Sequence, residues 1–342
     1  MRVGILTGGG DCPGLNAVIR AVVKRGLQFD FEFVGIRDGW GGLVEKSTIE
    51  LSNEAVSGIL PVGGTILGTS RTNPYKTEGD VDKVKANLKE LGIDALICIG
   101  GDDTLGVASK LYDEGIHTIG VPKTIDNDLS ATDFTFGFDT AVSIVTWALD
   151  RLHTTTEAHH RVMVVEVMGR QAGWIAVYGG LAGGADVILI PEKPVDPDEV
   201  CKYIEKRKAK GKHFSLVVAA EGAQLKEGTG IMTKDDSTDA FGHAKLGGIG
   251  EFLAREIEAK TGLESRHVVL GHLQRGGTPT SFDRILATRF GVRAVELVDE
   301  GKFGQMVALQ GNAIVDVSLH EATSKTKTVD MEMYKTASVF FG

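Results

Sequence analysis

Two short stretches gather residues able to do chemistry. Gly100-Gly101-Asp102-Asp103-Thr104 follows the apolar run Ala95–Ile99, and Pro122-Lys123-Thr124-Ile125-Asp126-Asn127-Asp128 follows Thr118–Val121. Asp102, Asp103, Asp126 and Asp128 cannot all face one phosphate, because like charges repel. Some must hold Mg2+ or accept a proton from a nucleophile, with Lys123 as the cation between them. The chemistry implied is phosphoryl transfer. Single residues have ordinary readings too: an Asp at such a turn caps a helix, and Asp-Asn-Asp forms Asx turns. Two adjacent acids at 102 and 103 exceed what a cap needs. The Thr104 hydroxyl suits either a cap or a phosphate.

Further turns carry complementary groups. In Thr7-Gly8-Gly9-Gly10-Asp11-Cys12-Pro13-Gly14-Leu15-Asn16, glycines let amides face an anion, and a following helix adds positive charge at its start. The spacing is neither GxGxxG nor the GxxxxGK[ST] P-loop. Gly271–Gly277 brackets His272 and Arg275 with glycines, and Arg266 stands just ahead of the run His267–Leu270. Arg161, Met168-Gly169-Arg170 and Glu221-Gly222 lie at the edges of other apolar runs. Arginine forks onto phosphate oxygens, and a histidine donates to a phosphate or sugar oxygen. His159 and His160 share no helix face and lack a third ligand at zinc spacing, so they read as structural or peripheral.

The elements that must position these groups follow from periodicity. Val3–Leu6 leads into the first glycine turn and a helix from about Pro13 to Gly26. Val81, Val84, Leu88 and Leu91 repeat at helical spacing up to Gly92, and a helix near Thr104–Glu114 separates Ala95–Ile99 from Thr118–Val121. Val162–Val167, Val187–Ile190, Ser215–Ala220 and His267–Leu270 read as buried strands, and Asp235–Asp239 as an exposed polar loop. This βαβ order predicts an α/β fold with parallel sheets and helices on both faces. The signatures fall after strands, where open parallel sheets bind ligands, so they predict one site or two facing sites across a cleft.

Composition sets bounds. The 342 residues are enough for two domains. The net charge of −9 argues against a nucleic-acid surface, while a local basic pocket for a small anion remains compatible with it. Cys12, Cys98 and Cys201 are too scattered for a disulfide frame or a zinc site and read as reduced core cysteines. No apolar run approaches the about 18 residues of a membrane span. The chain opens directly on a strand with no leader ahead of it, so the expectation is a cytoplasmic protein.

Taken in order, Gly8–Asn16, Gly100–Thr104, Pro122–Asp128, Val165–Arg170 and Leu270–Gly277 resemble the 6-phosphofructokinase family over nearly the whole chain. The resemblance implies two Rossmann-like three-layer αβα domains with a cleft between them: residues 1–138 plus 251–301 for the phosphoryl donor, and 139–250 plus 302–342 for fructose 6-phosphate. It implies phosphorylation of the sugar 1-hydroxyl with Mg2+. By motif, Asp126 is the base, Thr124 and Asp128 orient the sugar, and Asp102 associates with Mg2+. Met168, Gly169, Arg170, Glu221, His272 and Arg275 hold the sugar phosphate, and Gly10, Arg71 and Thr104 lie on the donor side. Arg161 and Arg266 match positions that the family supplies from a neighbouring subunit, which implies a homo-oligomer, dimer or tetramer, with shared sites.

Two departures point to the donor. ATP users in the family typically have Gly where Asp103 stands, and often where Lys123 stands. Asp103 adds bulk and negative charge where a nucleotide α-phosphate would lie, and Lys123 places a cation beside a shorter donor. Both resemble the pyrophosphate-dependent branch, and Arg71-Thr72-Asn73-Pro74 lacks the aromatic that often packs adenine. The expected partners are therefore fructose 6-phosphate and pyrophosphate in a reversible glycolytic or gluconeogenic step, with an ATP-dependent phosphofructokinase as the alternative. Lipid and NAD kinases share a Gly-Gly-Asp-Gly-type turn but not the Met168–Arg170 and Gly271–Gly277 signatures. A non-catalytic sugar-phosphate sensor would have no need of Asp126.

Overall fold

The computed structural model describes residues 1–226, 233–238 and 244–342. Along the chain run β1 (Arg2–Thr7), α1 (Leu15–Gly26), β2 (Glu32–Ile36), α2 (Trp40–Glu45), β3 (Thr48–Glu50), α3 (Asp80–Glu90), β4 (Ala95–Gly100), α4 (Asp102–Asp113), β5 (Thr118–Thr124) and β6 (Phe136–Gly137). There follow α5 (Phe138–Ala158), β7 (Val162–Val167), α6 (Trp174–Ala182), β8 (Val187–Leu189), α7 (Pro197–Ala209), β9 (Ser215–Ala220), β10 (Thr233–Thr238), β11 (Ala244–Leu246), α8 (Ile249–Thr261) and β12 (Ser265–Val269). The chain closes with α9 (Ser281–Asp299), β13 (Gln305–Gln310), β14 (Ala313–Ser318), α10 (Leu319–Ala322) and α11 (Met331–Ser338). Among the described residues no helix is long and apolar enough to cross a membrane.

The chain divides into two compact units. The first holds Met1–Ile125, Leu129–Thr140 and Arg275–Thr326. Its sheet runs β14-β13-β5-β4-β1-β2-β3, with β6 beside β5, and only β3 and β14 run antiparallel to their neighbours. Leu6, Leu96, Cys98 and Met306 pack one face against α2, α3, α4 and α10. On the other face α9 lies against α1, close enough at Gly291 that a Cβ there would sit 2.8 Å from Ala21 Cβ.

The second unit holds Asp126–Asp128, Ala141–Gln274 and Lys327–Gly342. Its sheet, β12-β7-β9-β8, is parallel throughout. Val162, Val164 and Val217 pack on α7 and α8 through Ile204, Leu253 and Ile257. Gly180 of α6 approaches Ile188 and Val218. Each unit is thus a three-layer αβα domain, the expected fold class.

Several boundaries differ from expectation. Residues 251–274 lie in the second unit because β12 pairs with β7, and 302–326 lie in the first because β13 pairs with β5. The first helix starts at Leu15 rather than Pro13, since Gly14 is left-handed at φ 107°. α4 begins at Asp102, which puts both acids inside the helix's first turn, where its dipole favours negative charge. β8 ends at Leu189, and β12 starts two residues early, at Ser265. The stretch expected as a polar loop forms most of β10, paired antiparallel with β11, while Asp239 lies outside the described residues. Cys12, Cys98 and Cys201 are buried and unlinked, and burial raises all three thiols.

Candidate active site

Register alone collects the first group of residues. Thr7 lies opposite Ile99, and Gly100 opposite Pro122, so β1, β4 and β5 end on one line. At that line the sheet presents Gly8–Gly14 in the loop after β1, Asp102–Thr104 in the first turn of α4 and Lys123–Thr124 at the end of β5. Lys123 is only 3% exposed, and its Nζ donates to the Gly10 carbonyl at 2.5 Å. A Cβ on Gly9 would lie 3.5 Å from that ammonium. The glycine loop is wrapped around a buried cation. A second cation comes from the segment before α9: a Cβ on Gly10 would collide with the Arg275 guanidinium, whose Nη1 also donates to the Asp11 carbonyl at 3.2 Å.

Not every loop amide faces a ligand. Gly8 N donates to Ile99 O at 3.0 Å and Gly9 N to Ser70 O at 3.1 Å, while Thr69 Oγ1 donates to Gly9 O. Those two amides are therefore committed within the protein, while Lys123 and Arg275 line the loop. Thr104 is buried with its Oγ1 against Gly8, where a Cβ would approach to 2.6 Å. Asp102 is exposed and Asp103 half-buried. Arg71 is exposed one residue beyond Ser70. Arg275, expected among the sugar-phosphate residues, belongs to the first unit, with its guanidinium against Gly10 and Asp11 O.

Asp126, Asn127 and Asp128 group with the second unit, three residues along the chain from Lys123. Asp126 is 5% exposed, and Asn127 turns the loop at φ 52°, a conformation Asn tolerates. Lys327 N donates to Asp128 O at 2.7 Å, which fixes the loop's far end.

In the second unit Glu166 pairs with Val269 and Val167 with Ala220, so the turns after β7, β9 and β12 share one edge. Gly169 has φ 142° and Arg170 φ 51°. The bend brings Arg170 N within 3.3 Å of Glu221 Oε1. A Cβ on Gly222 would run into Arg170 O, which explains why glycine follows Glu221. Met168 is half-buried at the same turn, and His272 is exposed in the turn Gly271–Arg275.

Arg161 and Arg266 are not brought to this edge. They stand at the amino ends of β7 and β12 and share Glu264: Arg161 Nε donates at 2.7 Å and Arg266 Nη2 at 2.5 Å. Arg161, then Arg266, hold the Glu264 carboxyl below its usual range. The sequence carried that signal, since both arginines come at or before the start of a strand. Two other residues were passed over. Gln274, fully buried, accepts from Met168 N and donates to Gly271 O, so it ties the turns after β7 and β12 together. Asp283, also fully buried, accepts from Thr140.

Among the described residues no three of His, Cys, Asp and Glu converge as a metal site. Mg2+ commonly takes one or two carboxylates and completes its shell with substrate phosphate and water. The exposed Asp102 and the buried Asp11 Oδ1, which has no hydrogen-bond partner, fit that mode rather than an all-protein cage.

Residues 2–298 match the phosphofructokinase family. A pyrophosphate–fructose 6-phosphate 1-phosphotransferase of Streptomyces coelicolor is 59% identical, with both chains covered completely. An ATP-dependent 6-phosphofructokinase of Corynebacterium efficiens is 53% identical over all of this chain and 99% of its own. The T-state phosphofructokinase of Pichia pastoris superposes with a TM-score of 0.85 at 30% identity, covering 99% of this chain and 36% of that longer one. The chain belongs to the phosphofructokinase family.

Proposed function

We propose that this chain transfers a phosphoryl group from inorganic pyrophosphate to the 1-hydroxyl of fructose 6-phosphate, yielding fructose 1,6-bisphosphate and phosphate in a reversible step. The observation that carries this reading is the buried Lys123 ammonium inside the Gly8–Gly10 loop, three residues before the buried carboxylate of Asp126. A compact, densely charged donor suits a loop that holds a buried ammonium with a half-buried guanidinium beside it.

In this reading Asp126 accepts the proton of the 1-hydroxyl as its oxygen bonds to phosphorus. The bridging P–O bond of pyrophosphate breaks, and the leaving phosphate keeps the electron pair. Thr124 and Asp128 orient the sugar end. Lys123 and Arg275 stabilise charge that builds on the donor oxygens. Met168, Gly169, Arg170, Glu221 and His272 bind the sugar phosphate. Mg2+, held through Asp102, would supply charge neutralisation on the donor phosphates. Arg161 and Arg266 serve the site of a neighbouring subunit in a homo-oligomer, which accounts for their place at the other end of the strands.

ATP as donor is the second reading, because an ATP-dependent relative is 53% identical. Asp103 in the first turn of α4 opposes it with a carboxylate where a nucleotide α-phosphate would lie. Turnover of fructose 6-phosphate with Mg2+ and either donor alone decides: pyrophosphate activity without ATP activity is expected. ATP activity alone would overturn the donor assignment. Asp103→Gly is expected to gain ATP turnover, and no gain would remove the steric argument.

A further inference from the structure

Asp283 lies outside every motif considered above, yet it joins the pieces of the first cradle. Its side chain is fully buried one turn into α9. Oδ2 accepts from Thr140 N at 2.8 Å and from Thr140 Oγ1 at 2.5 Å, and the Gly137 amide also favours the charged carboxylate. Thr140 and Gly137 bracket the start of α5, directly after β6. Thr280 completes the knot: its amide donates to Thr140 Oγ1 at 3.1 Å and its hydroxyl to Asp139 Oδ2 at 2.6 Å.

Each end of this knot leads to the donor loop. On one side β6 pairs Phe136 with Lys123 and Gly137 with Thr124. A Cβ on Gly137 would lie 2.7 Å from Cys12 Sγ, and one on left-handed Gly14 would lie 2.7 Å from the Phe136 ring. On the other side, Arg275 is five residues before Thr280, with Pro279 stiffening the path, and its guanidinium rests on Gly10. Such a carboxylate does not touch the donor but fixes the backbone from which the donor's contacts project.

We infer that Asp283 is a positioning residue for the phosphoryl donor, setting Lys123 and Arg275 against the Gly8–Gly14 loop through β6 and the Arg275–Thr280 segment. This rests on reading that loop as the donor site, which wild-type turnover with pyrophosphate tests separately.

The test is steady-state kinetics of Asp283→Ala, Asp283→Asn and Thr140→Val in the intact chain. Removing an outer-shell partner of a metal ligand costs about 10–100-fold, and on that analogy Asp283→Ala should raise the KM for pyrophosphate by at least about tenfold. The KM for fructose 6-phosphate should stay within about twofold on the same scale. Asp283→Asn keeps an oxygen able to take both Thr140 donors and should restore most of the pyrophosphate KM. Thr140→Val removes one of those bonds from the opposite end and should reproduce the same one-sided effect. If Asp283→Ala does not fold, Thr140→Val alone decides. Equal losses for both substrates, or an unchanged pyrophosphate KM, overturn the inference.

Discussion

The two cradles sit at the carboxyl ends of parallel strands, but they hold their charges differently. In the first unit the cations are already in place: Lys123 is buried and bonded to Gly10 O, and Arg275 lies on the same loop. In the second unit the arrangement differs. Arg170 has left-handed backbone geometry, and Arg161 and Arg266 are tied to Glu264 at the far ends of their strands. A pre-organised cradle suits a small symmetric anion with no other handle. A sugar phosphate offers hydroxyls as well; under the proposed function its cradle would rely more on backbone turns such as Met168–Arg170 and, in the proposed assembly, borrow cations from a neighbour. The contrast predicts that disturbances of the first unit appear in the pyrophosphate KM and those of the second in the fructose 6-phosphate KM.

Asp126 belongs to neither pattern, and its loss should be the largest effect. If it accepts the 1-hydroxyl proton, Asp126→Ala should lower kcat by about 10²–10⁴-fold, the usual worth of a positioned base. Binding of fructose 6-phosphate, followed by calorimetry, should persist. Retained turnover would remove Asp126 from the chemistry and make the chain a sugar-phosphate binder.

How much of this was legible in the sequence depended on how local each cause is. Runs such as Ala95–Ile99 and Ser215–Ala220 are unbroken and apolar because both faces of a parallel strand are buried, and they appear as β4 and β9. Strand ends then placed most candidate residues without further knowledge. What escaped notice was long-range. Nothing near Gly9 announces that its amide will meet Ser70 O, 61 residues away. Nothing near Asp283 announces Thr140, 143 residues away. The start of α4 at Asp102 was missed for a local reason: a Gly-Gly pair reads as a turn of uncertain length, and here Gly101 is already the cap.

The next largest effect concerns stability rather than rate. Burial, with Asp139 adding to it, raises the Asp283 carboxyl to about 6, although the Thr140 and Gly137 contacts oppose the shift. In the unfolded chain an Asp ionises near 3.9. As pH rises past that value the unfolded chain releases this proton first, so the contribution to stability falls until the folded group ionises near 6 and then levels off. Across two pH units the loss is on the order of 2–3 kcal/mol. Melting temperatures between pH 4 and 7 should therefore decline less steeply in Asp283→Asn than in the parent chain. Parallel curves would mean that the carboxyl is ionised throughout and that the hydrogen bonds outweigh its burial.

The smallest effects sharpen the contrast most, because they add one carbon to each cradle. At Gly10 a Cβ meets the tip of Arg275, a flexible side chain that can swing aside. Gly10→Ala should fold normally and raise the pyrophosphate KM by about tenfold, equivalent to roughly 1.4 kcal/mol, with the sugar KM unchanged. At Gly222 the added Cβ meets Arg170 O, a backbone atom already fixed by the bend at Gly169. Gly222→Ala should raise the fructose 6-phosphate KM by a similar factor and also lower the melting temperature, since backbone must move to admit it. Measuring both KM values for both variants gives four numbers. If the pyrophosphate KM responds to Gly222→Ala as strongly as to Gly10→Ala, the cradles are not separable and the pre-organisation of the first is not a property of its own unit.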